Sequence, residues 1–297
     1  SIFEVIRERD VLLYFPYHPF DYIVDVLKTA ALDPDVTAIK ICLYRTATNS
    51  RIGEALINAL HNGKRVVAVV ELAARFDEQA NIEMAHRLTE AGVEVIFGIP
   101  GLKVHCKLFS IERREEGQIR YYSHIGTGNF HEKTAGVYED LSLLTAHSDL
   151  TKEVAKIFDF FESSFERKQY KLLFVSPFTN RRRFMNLINE EMKRAKAGKE
   201  AWIRLKLNNL VDTGMIDKLY RASAAGVRIQ LVVRGICALK AGVPGLSDNI
   251  EVRSVVGRYL EHSRFAVFAG GGNTQVYLSS ADWMTRNLDR RVEVTTP

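Results

Sequence analysis

Cysteine is scarce: the 297 residues hold three, Cys42, Cys106 and Cys237, far apart and set in apolar segments. An odd, scattered set fits neither a disulfide framework nor a zinc site, and it points to a reducing, cytoplasmic setting. No run of about 18 apolar residues exists to cross a membrane as a helix, and the first residues, SIFEVIRERD, lack the apolar centre of a signal peptide. The charge imbalance is small. Lys and Arg number 41 against 36 Asp and Glu, a formal net charge of +5. This suits an anionic ligand but is too mild to argue for nucleic acid. No Walker A sequence occurs either, and the glycines of AGGGN (269–273) sit in an expected hairpin turn with no helix after them. The lack of an initiator Met, and an end just past a strand-like run, raise the expectation that the chain is part of a longer one.

What is present is 46% hydrophobic and 26% charged, enough for two ordinary cores. Strand-like and helical patterns alternate, predicting an α/β architecture. AIKICLY (38–44), SRIGEALINALHNG (50–63) and RVVAVVEL (65–72) read as strand, amphipathic helix and strand. The order returns in WIRLKLN (202–208), GMIDKLYRASAAG (214–226) and RIQLVVRG (228–235), with Gly63 and Gly226 closing the two helices. A boundary is expected near 164–178, giving domains 1–165 and 166–297, with the second expected to be cut short at its C-terminus. The helix that follows it begins with Arg181, Arg182 and Arg183, read as a solvated first turn.

In each half a strand-like run carries a His-x-basic triplet: His105-Cys106-Lys107 in GLKVHCKLFSI (101–111), and His262-Ser263-Arg264. Residues i and i+2 share a strand face, so His105 and Lys107 are expected to project together while Val104, Cys106 and Leu108 face the other way. A single buried histidine is usually a hydrogen-bonded core residue. A cation on the same face, repeated at the matching place in a duplicated unit, makes that reading costly twice. Two imidazoles brought face to face by the duplication suit phosphoryl or phosphodiester transfer. One attacks phosphorus, the other protonates or holds the leaving oxygen, and Lys107 and Arg264 offset charge on the other oxygens. His18, His61, His86, His124, His131 and His147 show no such pairing and are read as packing or surface residues.

At these residues the sequence resembles the phospholipase D superfamily, whose halves each present a His-x-Lys strand followed by a Gly/Ser-rich return; GTGN (126–129) matches that return. Within it, LYR (43–45), VELAARFDE (70–78), PGLKVHCKLF (100–109), HIGTGNFHEKTA (124–135), LKLNNLVD (205–212), RYLEHSR (258–264) and YLSSADWMTRN (277–287) resemble bacterial polyphosphate kinases of the histidine-phosphorylating type. The resemblance spans essentially the whole chain. It implies two phospholipase D-like domains, each a mixed β-sheet flanked by helices and related by duplication, as the catalytic part of a longer enzyme. It also implies reversible transfer of the ATP γ-phosphate to inorganic polyphosphate through a phosphohistidine.

Carried over, His105 resembles the nucleophile and His262 the second histidine at the nucleotide. Arg45 and Arg75 match magnesium-site positions, read as phosphate clamps beside Mg2+ because a guanidinium has no lone pair to donate. Tyr138 and Arg234 match nucleotide contacts; Lys107, Arg264 and Asn129 follow from the superfamily geometry. ATP or ADP and polyphosphate are the implied partners, with a homo-oligomer for the full-length enzyme, a peripheral membrane contact, and no nucleic acid. A phospholipase D-like phosphodiesterase and a non-catalytic polyanion-binding module are the alternatives. The halves are unequal: Arg264 stands where the pattern has Lys, Asp282 where the return has Asn, and Glu112 and Ala269 where a diesterase carries Asp.

Overall fold

The computed structural model describes residues 1–47, 50–72, 78–163, 166 and 168–297. The chain divides into two compact units, Ser1–Leu172 and Leu173–Pro297. Each has its own hydrophobic core.

In the first unit the elements run α1 (Ile2–Glu8), β1 (Val11–Phe15), α2 (Asp21–Leu32), β2 (Val36–Leu43), α3 (Arg51–His61), β3 (Arg65–Val70), α4 (Glu78–Glu90) and β4 (Glu94–Phe97). They continue through β5 (Lys107–Glu115), β6 (Gln118–Gly126), α5 (Glu132–Ala135), β7 (Tyr138–Thr145) and α6 (Ser148–Ser163). The strand order is β1-β7-β6-β5-β2-β3-β4. β2, β3 and β4 are parallel and the rest antiparallel. β2 and β3 are buried almost throughout, as strands covered on both faces must be, while the edge strand β4 is partly exposed. Ile39, Ile41, Val66, Ala68, Phe109 and Ile111 form one core with α2 and α3. On the opposite helix, α6, Val154, Ile157, Phe158 and Phe161 are buried.

The second unit repeats the plan with β8 (Phe174–Ser176), α7 (Asn180–Lys196), β9 (Trp202–Leu207), α8 (Thr213–Ala224), β10 (Arg228–Val233), β11 (Ile250–Arg253), β12 (Arg264–Phe268), β13 (Gln275–Ser279), α9 (Thr285–Asp289) and β14 (Arg291–Thr296). The order β8-β14-β13-β12-β9-β10-β11 matches the first unit strand for strand. The crossover helices are built alike. Ser50 accepts a hydrogen bond from the Ile52 amide at the start of α3, and Asp212 accepts one from the Met215 amide at the start of α8. Ile52, Ala55, Leu56 and Ala59 face the core in one, Met215, Ile216, Leu219 and Ala222 in the other. Gly63 and Gly226 end the turns beyond them at φ +78 and +94, where a Cβ would be strained. The expected architecture of duplicated mixed sheets flanked by helices is the one observed.

One local reading changes. Arg181 is not simply solvated: its guanidinium bridges Asp212 and Asp289, with both contacts to Asp212 at 2.7 Å. The partners come from α9 and the cap of α8, distant in sequence. Arg183 lies over the Phe174 ring, 4.5 Å from its centroid. The AGGGN turn between β12 and β13 winds as a 3-10 segment, Gly270–Gly272, and leads directly into β13.

Candidate active site

The run 101–111, expected as one strand, is broken at its chemical centre. Lys103 and Val104 are extended, His105 and Cys106 leave the ladder, and β5 starts at Lys107. The Val104 amide donates instead to the Glu71 carboxylate at 3.0 Å, just past the end of β3. Glu71 is itself fixed, since its amide donates to the Leu43 carbonyl at 3.0 Å. A side chain in the β3 exit thus sets where the His105 segment lies.

Tyr44, immediately after β2, is the floor of this site. The His105 ring meets it edge-on, with centroids 4.7 Å apart and planes at 85°. The Lys107 ammonium sits 4.9 Å from the Tyr44 centroid, Lys103 Nζ 5.8 Å and Arg45 Cζ 5.9 Å. Cations gather there because the ring face carries negative potential. Lys107 is almost wholly buried and also donates to the His105 carbonyl. Cys106 turns the other way, its Sγ 3.9 Å from Cys42 Sγ, where burial pushes the Cys42 thiol well up. His105 and Lys107 therefore share Tyr44, while Cys106 packs behind them.

The turn that carries Arg45 is held by Asn81 of α4, which is fully buried. Its amide donates to the carbonyls of Tyr44 at 2.7 Å and Glu71 at 3.0 Å, and its oxygen accepts from Thr46 N and Oγ1 at 3.2 Å. No pattern in the sequence marks this asparagine. Arg75 lies outside the described residues.

The GTGN return closes on β7. Thr127 Oγ1 donates to Asp140 at 2.6 Å, and a Cβ on Gly128 would stand 2.5 Å from an Asp140 oxygen, so only glycine fits. Asn129 follows, with its side-chain oxygen buried. Tyr138 begins β7 and is half-buried; its neighbour Glu139 accepts from Tyr14 at 2.6 Å and Tyr17 at 3.1 Å.

His124 is a packing residue, as read. It stacks on Phe109 and meets Phe130 at a tilt. Its Nδ1 lies 3.1 Å from the Lys107 carbonyl, which can only accept, so Nδ1 carries the proton and Nε2 accepts from Ser142 Oγ at 2.8 Å. Burial pushes this imidazole down to about 3. His18, His131 and His147 accept backbone amides at turns and helix starts.

The second unit presents a different constellation. Arg264 Nη1 lies 3.4 and 3.2 Å from the His262 ring nitrogens and donates to the His262 carbonyl at 2.8 Å. Its other side meets both oxygens of Asp282, each at 3.4 Å. Asp282 also accepts the amides of Asn208 at 2.8 Å and Asn209 at 3.2 Å. Burial alone would raise this carboxyl, but Arg264 and those hydrogen bonds hold it below its ordinary value. Asn208 accepts from Arg234 Nε at 2.7 Å and donates to the His262 carbonyl at 3.2 Å. Lys206 pairs with Glu261 at 3.0 Å and donates to Ser263.

The structure thus joins His105, Lys107 and Arg45 around Tyr44, and His262, Arg264 and Arg234 through Asp282 and Asn208. Tyr44, Glu71, Asn81, Lys206 and Asn208 were not singled out by sequence. The pair Asn208-Asn209 could have been, since it follows β9 as Tyr44-Arg45 follows β2.

Among the described residues, no group of three or more His, Cys, Asp or Glu side chains could hold a metal ion. Arg45 brings only donors. This donor set does not fit a magnesium ion ligated by the protein.

Comparison with known proteins places the chain in a family. Residues 1–167 match the family model for polyphosphate kinase C-terminal domain 1, and residues 173–297 that for polyphosphate kinase C-terminal domain 2. The polyphosphate kinase of Escherichia coli is 55% identical over 295 residues, 99% of this chain and 43% of that protein. That of Vibrio cholerae is 52% identical over 297 residues, 100% of this chain and 42% of that one. The chain therefore spans less than half the length of these relatives. The crystal structure of polyphosphate kinase from Porphyromonas gingivalis superposes at a TM-score of 0.92 with 41% identity, covering 100% of this chain and 49% of that one. A yeast tyrosyl-DNA phosphodiesterase variant superposes at 0.57 with 8% identity, over 96% of this chain and 87% of that one, a likeness of fold alone. This chain belongs to the polyphosphate kinase family.

Proposed function

We propose that the protein carries the transfer chemistry of a polyphosphate kinase, moving the ATP γ-phosphate reversibly through His105 to the end of an inorganic polyphosphate chain. A nitrogen lone pair of His105 attacks the γ-phosphorus. The bond to the bridging oxygen breaks, and ADP leaves with its electron pair. A terminal oxygen of polyphosphate then attacks the same phosphorus and the P–N bond breaks, regenerating the imidazole. The P–N bond has a transfer potential comparable to a phosphoanhydride, so both directions remain accessible.

One observation carries this reading: a buried imidazole is held against Tyr44 with Lys103, Lys107 and Arg45 around the same ring. Fixed cations beside the nucleophile favour the negative charge spread over the three non-bridging oxygens of the phosphoryl group in transfer, at no reorganisation cost. His262 takes the role of protonating or stabilising the leaving oxygen of ADP, with Arg264, Arg234 and Tyr138 on the nucleotide phosphates and Asn129 beside the nucleophile. Arg75 joins Arg45 as a phosphate clamp in this reading. Magnesium enters as part of the nucleotide substrate. The compartment implied is the cytoplasm, where ATP is made, and the working enzyme is a homo-oligomer of the longer chain.

The test is polyphosphate synthesis by the full-length enzyme with His105→Ala. Synthesis is expected to fall below detection while the circular dichroism spectrum and melting temperature stay within error. A variant that still elongates polyphosphate would contradict the reading. Hydrolysis of a phosphodiester without any uptake of phosphate from ATP would point to a phosphodiesterase instead.

A further inference from the structure

The two halves solve the same position differently. Lys107 pairs across the sheet with Gly126, and Arg264 pairs with Ser279. Asn129 and Asp282 each lie at the third residue beyond those partners, so they are equivalent. The first half therefore combines a lysine with an amide and the second an arginine with a carboxylate. The exchange concerns both members of the pair, and its geometry differs too. Lys107 leans on the Tyr44 ring and the His105 carbonyl. Arg264 lies between the His262 imidazole and Asp282.

Asp282 is 5% exposed; besides Asn209, its contacts are Arg264 and Asn208, which lead to groups that face the nucleotide in the proposed reaction. Its oxygens take Nε and Nη2 of Arg264, leaving Nη1 turned to His262. Through the Asn208 amide it fixes the residue that accepts from Arg234 and donates to the His262 carbonyl. A planar guanidinium offered two acceptors on one edge has a single orientation, whereas an ammonium has none imposed on it. We propose that Asp282 is a positioning residue of the transfer reaction, acting through Arg264 by holding its guanidinium against His262. The inference rests on the reading that Arg264 and His262 handle the phosphates.

A double-mutant cycle in the full-length enzyme tests it, reading kcat and KM for MgADP with polyphosphate as donor. Asp282→Asn keeps an oxygen for the amides of Asn208 and Asn209 but turns an N–H donor toward Arg264. Its kcat is expected to fall roughly 10- to 100-fold, the scale of a misplaced transfer group. KM should move less than about threefold, because the Asn208–Arg234 link survives. In an Arg264→Gln background the same change should cost less than about twofold, because the two residues act as a unit. A purely structural role would give equal losses in both backgrounds. Equal losses, or an Asp282→Asn enzyme with the kcat of the parent, would overturn the proposal. Should Asp282→Asn alone fail to fold, comparing Arg264→Gln with Arg264→Gln/Asp282→Asn decides it, since that pair removes both charges together; a large further loss overturns it. The cycle is scored on turnover ratios, so it stands or falls separately from the search for phosphate on His105.

Discussion

His124 shows how much a neighbourhood decides about one residue type. His105 and His124 are both buried, yet one lies among cations and the other between two phenylalanines with both nitrogens hydrogen-bonded. The second arrangement has a cost in acid. The folded protein holds His124 neutral down to about 3, while its ordinary value is 6.5. The unfolded chain therefore binds the extra proton first. The stabilisation is complete above about pH 6.5 and drains away as pH falls toward 3, by up to a few kcal/mol. His124→Phe should lose about 1–3 kcal/mol at pH 7 from the stranded partners Ser142 and Lys107. It should also show a shallower decline between pH 6.5 and 4.5, read from urea midpoints. Equal acid slopes in the two proteins would contradict this.

At the scale of elements, the repeat was legible because its signals are local. Apolar spacing and the helix-ending glycines Gly63 and Gly226 are local to each helix. The return GTGN was legible only through its order after His105 and the resemblance, and the Asp140 contact that forces Gly128 comes from β7. The break at His105 was not, because the competing acceptor for the Val104 amide is Glu71, which no neighbour of Val104 announces. Arg181 was misread on the same grounds: Asp212 and Asp289 reach it only once the second unit has folded. Asn81 is the extreme case. Its four contacts tie the exits of β2 and β3 to α4, so Asn81→Ala should destabilise by about 2–4 kcal/mol, the range for stranding several buried partners. Because that staple carries the Arg45 turn, the KM for nucleotide should rise in the variant at temperatures where it remains folded. An unchanged KM would detach Arg45 from nucleotide binding.

For the whole molecule, duplication supplied two similar scaffolds whose sites then diverged. The first surrounds its histidine with cations, and the second pairs its cations internally, Lys206 with Glu261 and Arg264 with Asp282. That inequality was half-visible in the sequence, as Arg264 for Lys and Asp282 for Asn, but its meaning required the contacts. Polyanion capture by such a protein depends on screened charge, so the KM for polyphosphate should rise several-fold between about 0.05 and 0.3 M salt. A flat salt response would argue against a long basic contact.

The central claim is that His105 takes phosphorus onto nitrogen. Full-length enzyme incubated with γ-labelled ATP, quenched in base and digested should yield one labelled peptide carrying His105, with a label stable in base and lost in acid. Label on serine, threonine or an acidic side chain, or none on the 101–111 segment while polyphosphate is being made, would contradict it.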